Sequence, residues 1–150
     1  MYRIRKDVII PRIDGITHDI EKLRQLAKLS LDEFSKEDNF ALAQFYLRRA
    51  LEGVFNIGNH IVSQLPGNKV TQYKEIARKL GDIGIVDKKF AYTKLVQMAG
   101  YRNRLTHFYA DVTVQELHKV LQQNLNDFDV FLTKIKELLQ HPEKFGFTIE

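Results

Sequence analysis

Four stretches of this chain repeat apolar residues every three or four positions, and that spacing confines them to helices. The strongest is Leu117, Leu121, Leu125, Phe128, Leu132, Ile135 and Leu139. Two earlier stripes keep the same step: Ile13, Ile16, Ile20, Leu23 and Ala27, then Ala43, Leu47, Ala50, Val54, Ile57 and Ile61. A third run carries Phe90, Ala91, Leu95, Met98 and Ala99. No alternating pattern of useful length competes with them, so the expected fold is all-α. An up-and-down four-helix bundle buries four one-sided stripes most simply, with a short extra helix and a C-terminal tail. At 150 residues the chain suits a single helical domain spanning 1–150.

Local signals place the boundaries. The first helix is expected after Asp7, with Pro11 tolerated in its first turns, and is read to about Phe34. Turn chemistry at Ser35–Asp38 leads into a second helix over 39–64 that stops at Pro66 and Gly67. A shorter helix over 72–80 points Tyr73, Ile76, Ala77 and Leu80 inward. The glycines of 81–87 read as turns and not as a phosphate loop, because the lysine and hydroxyl residue of a P-loop are missing. Asp87 is expected to cap the third long helix, and Thr113 with Glu116 forms a capping-box pattern for the last, read as one helix over 114–140. Beyond Pro142, residues 144–149 look strand-like with no evident strand to join.

Composition narrows the chemistry. There is no cysteine, which removes disulfides, thiolate metal sites and a cysteine nucleophile and suits a reducing cytoplasm. No apolar run nears the roughly 18 residues a membrane span requires, so no membrane role is expected. The net charge of +4 is compatible with a polyanionic partner, although basic pairs such as Arg48-Arg49 and Lys88-Lys89 read as solvated helix faces. His18, His118 and His141 read as helix-surface residues, since none has a partner at metal-ligand spacing. Glu52, Asn56 and His60, four apart, make a polar line on the second helix, read as an exposed edge with local hydrogen bonds; the functional alternative is that part of it faces and orients the helix carrying Arg102.

The chemistry-bearing stretch is Gly100-Tyr-Arg-Asn-Arg-Leu-Thr-His-Phe-Tyr109, at the end of the third long helix. Arg102 offers a permanently charged planar fork suited to phosphate, and His107 can exchange a proton near neutrality. Together they can cleave RNA without a metal or any cofactor. The imidazole removes the proton of a ribose 2′-OH or protonates the leaving 5′-oxygen, and the guanidinium stabilises charge on the non-bridging phosphate oxygens. Five positions along a helix turn a side chain by about 140°, so Arg102 and His107 do not share a face of a straight helix. The arginine must reach around, the helix must end, or a second copy must complete the site. Gly100 is read as allowing close approach of a neighbouring backbone, in favour of a symmetric dimer.

Arg102, four intervening residues, His107, one residue, then Tyr109 resembles the R-x4-6-H-x-Y signature of HEPN-domain ribonucleases. The longer run resembles the HepT-like branch, the toxins of HepT/MntA-type, or type VII-like, toxin-antitoxin pairs. The resemblance extends from the first helix to the end of the last and implies the helical-bundle fold. It also implies a metal-independent endoribonuclease acting as a homodimer, with Arg102 and His107 of two protomers lining one cleft. Asn103, Arg104 and Tyr109 are supporting residues in this reading. The implied partner is an MntA-like nucleotidyltransferase antitoxin that attaches AMP to Tyr109, where the ester would plug the cleft and compete for Arg102. Two other classes stand beside it: a non-catalytic nucleotide- or protein-binding bundle that keeps the motif for ligand binding, which the resemblance would make a subunit of a nucleotidyltransferase complex, and a metal-dependent enzyme. The second lacks a carboxylate cluster at ligand spacing.

Overall fold

The computed structural model describes residues 2–67, 70 and 72–150. The order is β1 (Tyr2–Ile4), α1 (Lys6–Ala27), α2 (Leu31–Phe34), α3 (Asn39–Ser63) and α4 (Tyr73–Asp82), followed by α5 (Lys88–Phe90). α5 passes through a π-helical turn at Ala91–Leu95 into α6 (Val96–His107). A 3₁₀ turn at Tyr109–Asp111, α7 (Val114–Gln123), α8 (Asn126–Gln140), a second 3₁₀ turn and β2 (Phe147–Ile149) complete the chain. The apolar stripes meet in one contiguous buried cluster, in which Leu23, Ala50, Phe55, Leu95, Leu117 and Ile135 are fully enclosed.

Several boundaries differ from the sequence reading, each for a local reason. The first helix ends at Ala27, because Ser30 and Glu33 form a reciprocal capping box that starts α2 afresh. The last helix is two: Asn124 leaves helical geometry at φ −117°, ψ −5°, in a stretch where Asn and Asp side chains compete with the backbone ladder. Leu125 and Phe128 stay buried across the break, but the inward position near the end passes from Leu139 to Leu138. Asp87 stands before α5 without capping it, and its carboxylate lies 3.6 Å from Lys134 Nζ.

The tail does find a strand. β2 pairs in parallel with β1, Tyr2 opposite Phe147 and Ile4 opposite Ile149, and buries Ile4 and Phe147. The polar line on α3 meets this staple at His60, whose Nε2 accepts the Arg5 N–H at 3.0 Å. Burial is the main reason the His60 pKa is lowered. His118 is not a surface residue: it donates to the Leu29 carbonyl at 2.8 Å and packs 5.4 Å from the Phe34 ring. Asp19, buried on α1, takes both arms of Arg49 at 2.9 and 2.6 Å and ties α1 to α3.

Small residues set the helix spacing. A Cβ on Gly81 would lie 2.5 Å from Ala91 Cβ and 3.3 Å from Lys88 Cα, so α4 rests directly on the start of the motif-bearing helix. Gly100, by contrast, faces the Lys74 side chain at ordinary contact distance, 3.5 Å, and meets no neighbouring backbone among the described residues.

Candidate active site

α6 delivers the motif and ends with it. His107 is its last helical residue, and Phe108 leaves the helix at φ −134°, ψ 35°. Arg102, Asn103 and His107 line one groove of about 410 Å³ together with Gln72, Tyr73 and Lys74 from the start of α4. The arginine therefore reaches around the helix, one of the three routes its spacing allows. Tyr73 supports that path, its ring centroid 4.3 Å beneath the guanidinium.

Arg102 is held without being saturated. Nη2 lies 3.7 Å from Glu52 Oε1, Nη1 donates weakly to Asn103 Oδ1 at 3.4 Å, and the buried Nε has no partner among the described residues. Part of the polar line on α3, Glu52, thus faces the motif helix, as the functional alternative for that line has it. It also lies 4.0 Å from Arg48, so the carboxylate is shared between two guanidinium groups.

Arg104 is committed elsewhere. It grips Glu116 with both arms, at 2.8 and 3.1 Å, and Tyr101 donates to the same carboxylate at 2.7 Å. The Arg104 hydrogen bonds hold the Glu116 carboxyl below its usual range. Desolvation first, then Glu116, pushes the Tyr101 phenol far up, so it stays protonated. Thr113 does cap α7 by accepting the Glu116 N–H at 3.1 Å, while the carboxylate that would complete the box is spent on Arg104.

Tyr109 is brought near the motif but not into its groove. It lines a second hollow of about 350 Å³ with Leu105 and Thr106 and with Ala41, Gln44, Phe45 and Arg48 of α3. Sequence reading missed Lys74, and no pattern ties it to a motif so far along the chain. It read Tyr73 only as an inward residue and Arg48 only as part of a solvated face. Among the described residues no helix is long and apolar enough to cross a membrane.

Comparison with known proteins bears on this arrangement. The model of the family described as ribonuclease HepT-like matches residues 16–135. A tRNA nuclease HepT from Aphanizomenon flos-aquae is 24% identical over 140 residues, covering 93% of this chain and 95% of the relative. An mRNA nuclease HepT from Shewanella oneidensis is 26% identical over 133 residues, covering 87% and 97%. Among solved structures, the tri-AMPylated Shewanella oneidensis HEPN toxin in complex with MNT antitoxin superposes with TM-score 0.78 at 24% identity, covering 88% of this chain and 98% of that one. A cytosolic Bacillus subtilis protein of unknown function has the same fold, with TM-score 0.72 at 18% identity and 95% coverage of both chains.

Proposed function

This chain belongs to the ribonuclease HepT-like family, and we propose that it is a metal-independent endoribonuclease toxin with Arg102 and His107 as its catalytic pair. The observation that carries the reading is the shared groove. The Arg102 guanidinium, an exposed imidazole and a second cation, Lys74, line the same space. An RNA phosphate seated there places its non-bridging oxygens on Arg102 and Lys74. The 2′-oxygen attacks phosphorus as its proton passes to an imidazole, the bond to the 5′-oxygen breaks, and a proton is returned to that oxygen. The products are a 2′,3′-cyclic phosphate and a 5′-hydroxyl.

One imidazole serves one of the two proton transfers at a time, so the site is complete when a second copy supplies the other. A homodimer with a composite cleft follows from this requirement and from the family resemblance. Asn103 orients Arg102 through its side-chain oxygen. Arg104 supports the site indirectly, by anchoring the end of α6 to α7. The partner is an MntA-like nucleotidyltransferase antitoxin acting in the cytoplasm, and Tyr109, 62% exposed, is the AMP acceptor. The phenolic oxygen bonds to the α-phosphorus of ATP, the α–β phosphoanhydride bond breaks, pyrophosphate leaves, and the phenolic proton is released to a base.

The test is cleavage of total RNA by the purified protein in chelator, compared with His107→Ala. Cleavage by the first alone is expected. Equal cleavage by both would remove His107 from the mechanism, and no cleavage by either, with an intact mass free of AMP, would favour a non-catalytic binding subunit.

A further inference from the structure

Tyr109 does not open on the groove its modification is meant to silence, and the hollow it does open on has its own chemistry. On α3, Gln44, Phe45 and Arg48 present one edge at helical spacing, and Thr106 and Tyr109 close the opposite side. Phe45 is 42% exposed; the Arg49 guanidinium lies 4.8 Å from its ring centroid on one face, and the other is the face on which a base can stack. Among the described residues Arg48 has only the 4.0 Å contact to Glu52, which leaves donors of its fork for a phosphate. Gln44 brings an amide suited to a base edge, and the buried Thr106 hydroxyl has no hydrogen-bond partner among the described residues. The volume, about 350 Å³, is at the lower end of the roughly 300 to 1,000 Å³ usual for small-ligand sites.

An aromatic face, a guanidinium and an amide around one hollow are the elements that recognise a nucleoside monophosphate. We propose that this hollow seats the adenylate carried on Tyr109, with the adenine against Phe45 and the phosphodiester on Arg48. The inference rests on the reading that Tyr109 is the AMP acceptor. It also supplies a route from this hollow to the catalytic groove. Glu52 lies 4.0 Å from Arg48 and 3.7 Å from Arg102. A phosphodiester that engages Arg48 leaves Glu52 with Arg102 as its remaining partner, and a carboxylate held on Arg102 competes with RNA phosphate for the same donors. Silencing thus acts through the Arg48–Glu52–Arg102 line, with no need for the ester to enter the groove.

The experiment modifies the full-length protein with its partner nucleotidyltransferase and ATP, maps the added mass to Tyr109, and compares wild type with Arg48→Ala and Phe45→Ala. Each is then treated with a phosphodiesterase, and RNA cleavage is measured before and after modification. At equal modification, AMP is expected to be released about tenfold faster from Arg48→Ala than from wild type. Modified Arg48→Ala is expected to recover about tenfold more of its own unmodified activity, the factor that one charge-assisted hydrogen bond is worth. Arg48→Lys and Phe45→Leu repeat the comparison should either alanine variant fold poorly. Equal release and equal silencing would overturn the cradle while leaving Tyr109 as acceptor. An equally large loss of RNA affinity in the unmodified variants would assign the hollow to the RNA strand instead, and absence of AMP on Tyr109 in wild type would overturn both readings.

Discussion

Arg102 and Arg104 are two residues apart on one helix and live in opposite circumstances. Arg104 has two short hydrogen bonds to one carboxylate, reinforced by Tyr101. Arg102 has a cushion of aromatic carbon, a shared carboxylate at 3.7 Å and a buried Nε with no acceptor among the described residues. A folded chain rarely leaves buried donors unspent. The contrast separates a guanidinium saturated by one carboxylate from one that is not, and residue type alone does not make that distinction.

The sharpest way to break the contrast is to delete each arginine. Arg102→Ala should lower RNA cleavage by about 10²- to 10³-fold, the usual cost of removing one preorganised charge-stabilising donor, with helix content by circular dichroism unchanged. Arg104→Ala should lose stability first and activity only secondarily; a larger activity loss than Arg102→Ala would reverse the assignment. Gly81→Ala should destabilise by about 1–3 kcal/mol in denaturant melts, because the new methyl collides with Ala91 Cβ. It should also reduce cleavage, since displacing α4 moves Tyr73 and Lys74 away from Arg102.

Removing the partner of the saturated arginine is expected to cost less. Glu116→Gln should lower stability by about 1 kcal/mol at neutral pH, a modest figure because the pair is partly exposed. The sign with pH is fixed: the folded carboxyl is held below its unfolded value of 4.5, so its contribution is present above that value and lost as pH falls through the folded one. The difference between wild type and Glu116→Gln should therefore shrink on acidification.

The smallest effect concerns the strand staple. The folded His60 pKa is below the unfolded 6.5, so the unfolded chain binds the proton first and stability falls as pH drops from 6.5 towards the folded value. Protonation also costs Nε2 its role as acceptor for Arg5 N–H. His60→Gln melts should be flatter across that window than wild type, and an equal slope would place the acid sensitivity elsewhere.

Much of the fold was legible because helical periodicity is local. The stripes on α1, α3 and α8 are readable, and even the restart at α2 is written in the capping-box pair Ser30 and Glu33. The β1–β2 pairing was not, since a parallel partner lies across nearly the whole chain and neither short segment signals the other. The groove was half legible: Arg102, Asn103 and His107 come from one motif, but Lys74 and the role of Tyr73 depend on where α4 packs.

By itself the sequence determined four amphipathic helices, a cysteine-free mildly basic chain, and an arginine, histidine and tyrosine set at the end of one helix. Those are properties of spacing and side-chain chemistry, fixed before any long-range contact forms. Only the tertiary structure decided which arginine is spent and which is free, that Tyr109 faces α3, and that Glu52 lies between Arg48 and Arg102. Hydrogen-bond saturation and exposure depend on what distant helices bring within a few ångströms.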